Sequence, residues 1–235
     1  MKKSHITSLL IIAILFINCK KSTEIEGLWI VKSVVVGDQE MTPNARWMRF
    51  NSDYTQQSGN GWFQHSIGTW VFDKNQKELS IKNTNGLIDK NEPFKVSFEK
   101  NKMIWNRVEE GQNIVVNLKR ANKLPKTYGD KLLGLWKLKE SNGNGIFFDE
   151  SIQNNEYLFF RWDKRFLINS SKGRIRGVYN VHGHKPEIEL IPYNDKIKRS
   201  FWKFQHNEGE ISLNLLNSDS VIVKKFVRIQ ELPSN

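Results

Sequence analysis

Gly27-Leu28-Trp29 opens a β-branched run that continues to Val36, and the same triplet returns as Gly134-Leu135-Trp136 at the head of a second alternating run to Lys139. Each copy is answered by a matching end. Arg120 is followed by Leu124-Pro125, and Arg228 by Leu232-Pro233. A shared start and a shared stop define a duplicated domain, with one unit over 27–125, a polar linker over 126–133 and a second unit over 134–233. Length alone leaves one or two domains open. The repeat decides for two, each of about 100 residues and large enough to bury its own core. Eight Trp and 14 Phe provide bulky material for it.

Outward from the triplets, the chain reads as short strands separated by turns. In the first unit the runs are 29–36, 46–50, one from Tyr54 that fades toward the Gly- and Ser-rich 58–61, then 67–72, 78–82, 94–98, 103–105 and 114–120. Turn chemistry sits between them, as at Asn51-Ser52-Asp53 and Glu110-Gly111. The loop over 83–93, with Asn85-Gly86, is the longest weakly patterned piece. The second unit repeats the series over 135–139, 156–160, 165–168, 177–181, 187–191, 200–204, 211–215 and 221–228. Gly68-Thr69-Trp70 corresponds there to Gly177-Val178-Tyr179. No amphipathic helix of useful length is expected. The fold class is therefore all-β, with two tandem eight-stranded antiparallel barrels. Closing each sheet on itself removes its edges; a sandwich of two sheets is the rival.

Charged residues make up 26% and hydrophobic residues 38%, a globular composition, and the formal net charge is +11. Such a balance suits nucleic acid, an anionic membrane surface or plain solubility. The only cysteine is Cys19, so neither unit holds a disulfide and both rely on packing.

The amino terminus narrows the choice. Lys2 and Lys3 precede an uncharged apolar run from Leu9 to Ile17, too short to span a bilayer as a helix and suited to the core of a signal peptide. Cys19 follows directly. Residues 1–18 resemble a bacterial lipoprotein leader of the Bacteroidetes type. The resemblance implies cleavage before Cys19, lipidation of its thiol and acylation of the new amino terminus, with 19–26 as lipidated cysteine and tether. Lys20 in place of Asp, and no acidic cluster after it, imply the outer membrane and its periplasmic leaflet. An ordinary secretory leader with a chance cysteine, or an uncleaved anchor, are the alternatives. A cell-envelope address argues against a nucleic-acid partner.

Gly-x-Trp at the start of the first strand, with an arginine at the end of the last, resembles the lipocalin superfamily. The resemblance covers nearly all of the chain after the tether. It implies that Trp29 with Arg120, and Trp136 with Arg228, close the barrel bases through a cation–π contact. It also implies a small apolar ligand or lipid held in a barrel, with Trp62, Trp70, Phe94, Tyr179 and Phe201 as candidate pocket residues. Each unit is shorter than a full lipocalin and lacks its final helix, so the interiors could instead be filled by side chains such as Trp70, Phe72, Phe94 and Phe98. Filled barrels would make the chain an interaction module for an envelope protein or an anionic glycan. The densest basic run offers a surface for that, through Arg161, Arg165, Arg174 and Arg176.

No catalytic constellation, cofactor motif or metal site is expected. His182-Gly183-His184 lies in a turn, with His65 and His206 far off in sequence. Adjacent carboxylates at Glu109-Glu110 and Asp149-Glu150 point to opposite faces of a strand. The expectation is a non-enzymatic, membrane-anchored binding protein.

Overall fold

The computed structural model describes residues 24–84, 86, 88–145, 147–150, 152 and 155–233. The leader, Cys19, most of the tether and Asn85 lie outside the described residues.

The first unit is one closed antiparallel barrel. Its strands are β1 (Gly27–Val36), β2 (Gln39–Glu40), β3 (Arg46–Phe50), β4 (Thr55–Asn60), β5 (Phe63–Asp73), β6 (Glu78–Asn83), β7 (Phe94–Glu99), β8 (Lys102–Glu109) and β9 (Gln112–Ala121). Eight of them follow one another round the wall, and β9 pairs back on β1 from Leu28↔Ala121 to Val36↔Ile114. The two-residue β2 folds back on the end of β1 through Val35↔Glu40. The wall is thinnest between β6 and β7, which share only Glu78↔Lys95 and Leu79↔Phe94 before the 84–93 loop leaves.

The second unit closes in the same way from β10 (Gly134–Asn142), β11 (Tyr157–Phe160), β12 (Arg165–Ser170), β13 (Gly173–Val181), β14 (Glu187–Pro192), β15 (Ser200–Asn207), β16 (Glu210–Leu215) and β17 (Val223–Ile229). β10 meets β17 from Leu135↔Ile229 to Asn142↔Val223. Even the irregularity repeats. β1 carries a bulge between Val31 and Ser33, and β10 one between Leu138 and Glu140, each just past its tryptophan. Both units are barrels, not sandwiches.

The repeated triplet has a structural reason. Trp29 Nε1 donates to Ile25 O (2.7 Å), and Trp136 Nε1 to Leu132 O (2.7 Å). Arg120 lies over the Trp29 ring at 4.4 Å and donates to the carbonyls of Glu26 and Glu24; Arg228 lies over Trp136 at 4.1 Å and donates to those of Leu133 and Lys131. The residues before each glycine thus lie across the barrel base, with Ile25 and Leu132 fully buried beneath it. Gly27 and Gly134 both adopt φ +120°, a conformation that side chains disfavour, with the arginine against the hydrogen that a Cβ would replace.

Besides the short β2, three features depart from the sequence reading. The third strand does not fade, because β4 keeps its inward alternation with polar side chains, Gln56 and Ser58. β5 begins at Phe63, four residues earlier than its apolar run. The linker contains one turn of helix, α1 (Tyr128–Leu132), capped reciprocally by Thr127 and Asp130. The signal for it was present as Thr127-x-x-Asp130, a capping box too short to show helical periodicity.

The two barrels touch. Asn44 N donates to Gly183 O (2.9 Å), Tyr128 N to Asn44 Oδ1 (3.3 Å), and His184 Nδ1 lies 3.1 Å from Thr42 O. Strand alternation puts the 41–45 loop on the rim of the first barrel far from Trp29. It puts α1 and the 182–186 turn at the base of the second barrel. The second barrel therefore sits by its base on the far rim of the first.

Candidate functional site

Strand register equates positions on the two inner walls. In the first barrel Gln56 pairs Gly68, and Gly68 pairs Asn83; in the second Phe166 pairs Gly177, and Gly177 pairs Pro192. One step along, Ser58 pairs Ser66 where Ile168 pairs Ile175. Four inward positions on three neighbouring strands are thus polar in one barrel (Gln56, Ser58, Ser66, Asn83) and apolar in the other (Phe166, Ile168, Ile175, Pro192). Both glycines are required. A Cβ on Gly68 would meet the Lys82 carbonyl, and one on Gly177 the Ile191 carbonyl.

In the second barrel the space is filled. Phe147 and Phe148, from the segment after β10, are buried in the core, Phe147 stacked 6.4 Å from Trp202 and Phe148 5.5 Å from Phe226. Lys224 points inward and is 1% exposed. Its ammonium donates to Ser141 Oγ (2.5 Å) and Gly143 O (2.5 Å), which ties down the plug. Burial, and then the charge of Lys172, push its pKa below the usual lysine value. The carbonyl cage lets a buried cation persist there.

The first barrel has no such plug among the described residues. Its polar wall is partly self-satisfied. Asn83 Oδ1 accepts from Gln56 Nε2 (3.0 Å) and Ser66 Oγ (2.8 Å). Two buried polar atoms on the lumen have no hydrogen-bond partner: Gln56 Oε1 and Trp105 Nε1. Such groups are uncommon because each costs about 1–3 kcal/mol of desolvation. Above them Arg46 reaches inward from β3, donating to Ser58 Oγ (3.2 Å) and touching His65 Nε2. Burial lowers the Arg46 pKa, and burial with the Arg46 charge lowers that of His65. No ion pair among the described residues includes Arg46. Val34, Val36 and Phe94 pack on the core but stay only partly buried, as does Ile81, which shares β6 with Asn83. Arg107 lies over Phe94 at 3.8 Å and is neutralised by Asp89 (2.7 Å) and Glu109 (2.5 Å).

The five candidate pocket aromatics are divided between the two barrels and lie at different depths. Phe94 is partly buried in the first barrel, 5.0 Å from Trp105. Trp70 is packed in the lower core of the same barrel against Phe50, with Nε1 on Asn51 O (3.1 Å). Trp62 is 76% exposed on the turn between β4 and β5. Tyr179 is core in the second barrel, its hydroxyl on Arg161 O (2.9 Å) and its pKa raised to about 12, chiefly by burial. Phe201 faces outward because its neighbours Ser200 and Trp202 take the inward positions; it lines a shallow cleft with Asn180, His182 and Glu189. Three of the five thus belong to the first barrel and two to the second. Arg46 and Gln56 were missed because polar residues in a strand read as solvent-facing, and Ser66 and Asn83 because they lie just outside the apolar runs.

Arg161, Arg165, Arg174 and Arg176 do gather on one outer face. A cleft of about 340 Å³ is lined by Phe159, Arg161, Arg165, Leu167, Arg176 and Tyr193, and a second of about 390 Å³ continues it past Arg174. Asp163 pairs Arg161 (3.0 Å) and Arg165 (3.7 Å). His182 Nδ1 accepts two backbone N–H groups within its own turn. Asp149 pairs Lys172 (2.9 Å), and Glu109 pairs Arg107 (2.5 Å).

Fold and walls together define a tandem of closed eight-stranded antiparallel β-barrels, one filled with side chains and one with a polar, incompletely satisfied inner wall. No protein-family model matches the chain, and no curated protein does.

Proposed function

We propose that this chain is a non-catalytic lipoprotein of the cell envelope. Cys19 carries the lipid anchor, the protein faces the periplasm from the outer membrane, and the first barrel holds a small, largely apolar ligand. The second barrel is a filled support seated on the rim of the first. The observation that carries this reading is the contrast between equivalent walls. The same fold is packed solid with Phe166, Ile168, Ile175, Phe147 and Phe148 in one copy, and keeps unpaired polar atoms beside half-buried apolar side chains in the other. Stability alone would favour the packed solution at both.

Native mass spectrometry of the chain purified from its own envelope tests the binding role. A defined small molecule should co-purify, rebind after delipidation and be lost on Ser66→Phe. A chain that carries no adduct, and whose thermal unfolding is indifferent to added envelope lipid extract, would overturn it. Metabolic labelling with palmitate, lost on Cys19→Ser, tests the anchor.

The arginine face of the second barrel favours a second reading, an interaction module for an anionic glycan or an acidic envelope protein. Retention on immobilised heparin that falls on Arg174→Ser with Arg176→Ser would support it.

A further inference from the structure

The outer walls of the two barrels differ as much as the inner ones. Resting on the interaction-module reading above and deepening it, we infer that the outer face of β11 to β14 docks an acidic protein segment. That segment seats an aromatic or apolar side chain between its carboxylates.

Strand register equates the outward positions too. Arg49 pairs Leu28 and Gln57, as Phe159 pairs Leu135 and Leu167. Thr69 pairs Thr55 and Lys82, as Val178 pairs Arg165 and Ile191. Thr84 N donates to Ile67 O, as Tyr193 N donates to Arg176 O. Five outward positions are thus polar in the first barrel (Arg49, Gln57, Thr69, Lys82, Thr84) and apolar or aromatic in the second (Phe159, Leu167, Val178, Ile191, Tyr193). Around them, Arg165 and Arg176 stand where the first barrel has Thr55 and Ile67. Arg161 and Trp162 stand for Asn51 and Ser52, since Asn51 N donates to Thr55 O as Arg161 N does to Arg165 O. Filling the interior requires apolar residues on the inner face of these strands, not on the outer.

An apolar patch with a cationic rim marks an interaction site where it stays open. Here Trp162 is 81% and Tyr193 61% exposed. The surface is also concave. The cleft of about 340 Å³ shares Phe159 and Arg161 with one of about 420 Å³ that reaches Trp162, and it shares Arg176 and Tyr193 with the one that reaches Arg174. A recessed apolar floor receives an inserted side chain, whereas a flat bilayer would meet mainly Trp162 and Tyr193. Among the described residues lining the central cleft none is a carboxylate or an amide, so sugar hydroxyls would find guanidinium donors but few acceptors. Carboxylates suit it better. Asp163 engages Arg161 and Arg165, while no ion pair among the described residues includes Arg174 or Arg176. A guanidinium pairs with a carboxylate through two parallel hydrogen bonds, and arginine with Trp and Tyr is the set that anchors protein–protein contacts.

The test measures binding of the full chain to poly-glutamate, to a random glutamate–tyrosine copolymer, to heparin and to phosphatidylglycerol vesicles, at equal concentrations of negative charge. The copolymer should bind about ten-fold or more tightly than poly-glutamate, the scale of burying one aromatic side chain. Arg174→Ser with Arg176→Ser should weaken both polymers. Leu167→Gln gives the cleft floor the residue that Gln57 provides in the first barrel. It should erase the copolymer's advantage and leave poly-glutamate binding nearly unchanged. Tryptophan fluorescence reports whether each variant keeps its fold, and the comparison of polymers on the unaltered chain decides even where one does not. Equal binding of the two polymers, or an advantage that survives Leu167→Gln in a folded chain, overturns the inserted side chain and leaves the basic face as an interaction surface. Heparin or vesicles bound more tightly than the copolymer, and through Arg174 and Arg176, overturn the acidic segment in favour of a glycan or a membrane surface. A chain that binds no polyanion through these arginines sinks both the inference and the interaction-module reading.

Discussion

Arg120 lies 4.4 Å above the ring of Trp29, from the last strand of the barrel to the first, and its Nη1 stands 2.6 Å from the point where a Cβ on Gly27 would be. Arg228, Trp136 and Gly134 repeat the arrangement at the base of the second barrel. One guanidinium thus joins three tasks. It covers the indole, it closes the carbonyls of the incoming chain, and it holds β1 to β9 at the end where their pairing begins. The glycine is the condition for all three, because only a hydrogen leaves room for the arginine.

Gly134→Ala should therefore destabilise the second barrel by about 1–3 kcal/mol through backbone strain alone, and more where the arginine is displaced. Arg228→Met should cost about 2 kcal/mol or more, from the lost cation–π contact and the unpaired carbonyls of Leu133 and Lys131. Urea titration followed by tryptophan fluorescence measures both. Combined, the two changes should cost less than the sum of the singles, since each disturbs the same contact.

Phe148→Ala should lower stability by about 3–5 kcal/mol, because a fully packed ring is removed from beside Phe226. The same change should open the second barrel. Binding of anilinonaphthalene sulfonate under native conditions, absent before the substitution, checks it.

Gln56→Leu should act in the opposite direction. It removes a buried oxygen without a partner, while Asn83 Oδ1 keeps the hydrogen bond from Ser66. A gain of about 1 kcal/mol in thermal unfolding is expected, together with loss of any ligand held in the first barrel. A variant that gains nothing would mean that the polar wall is satisfied in solution.

Acid should weaken the first barrel through Asp89. Burial by itself would raise this carboxyl. Hydrogen bonds from Arg107 and Asn91, with the Arg107 charge, outweigh it and hold the carboxyl below its usual range. The folded chain thus binds that proton less readily than the unfolded chain does. The stabilisation is complete above the unfolded value of about 3.9 and is lost as pH falls through the lower folded value. Asp89→Asn should reduce the melting temperature at pH 7 and meet the wild-type curve at the acid end, in thermal scans between pH 7 and pH 2.

Fold was largely legible in the order of residues. Glycine, tryptophan and arginine recur at matched positions, turn residues separate the runs, and side-chain alternation along a strand is local, so all-β architecture, duplication and strand count needed no contacts. The exceptions were local too. A two-residue strand and a one-turn helix are too short to carry a period, and β4 hid its alternation behind polar inward residues.

The lumen was a matter for tertiary structure. Whether Gln56, Ser58 and Ser66 face water or a barrel interior depends on which strands flank them and on the parity that closure imposes; composition cannot distinguish the two. The same holds for Phe201, an apolar residue that parity turns outward, and for Lys224, a cation that parity turns inward onto three backbone and hydroxyl oxygens of its own chain. Sequence determined the number of barrels and how each is closed, because those depend on neighbours along the chain. Only the folded barrels decided which one is filled, because filling depends on residues brought together across the wall.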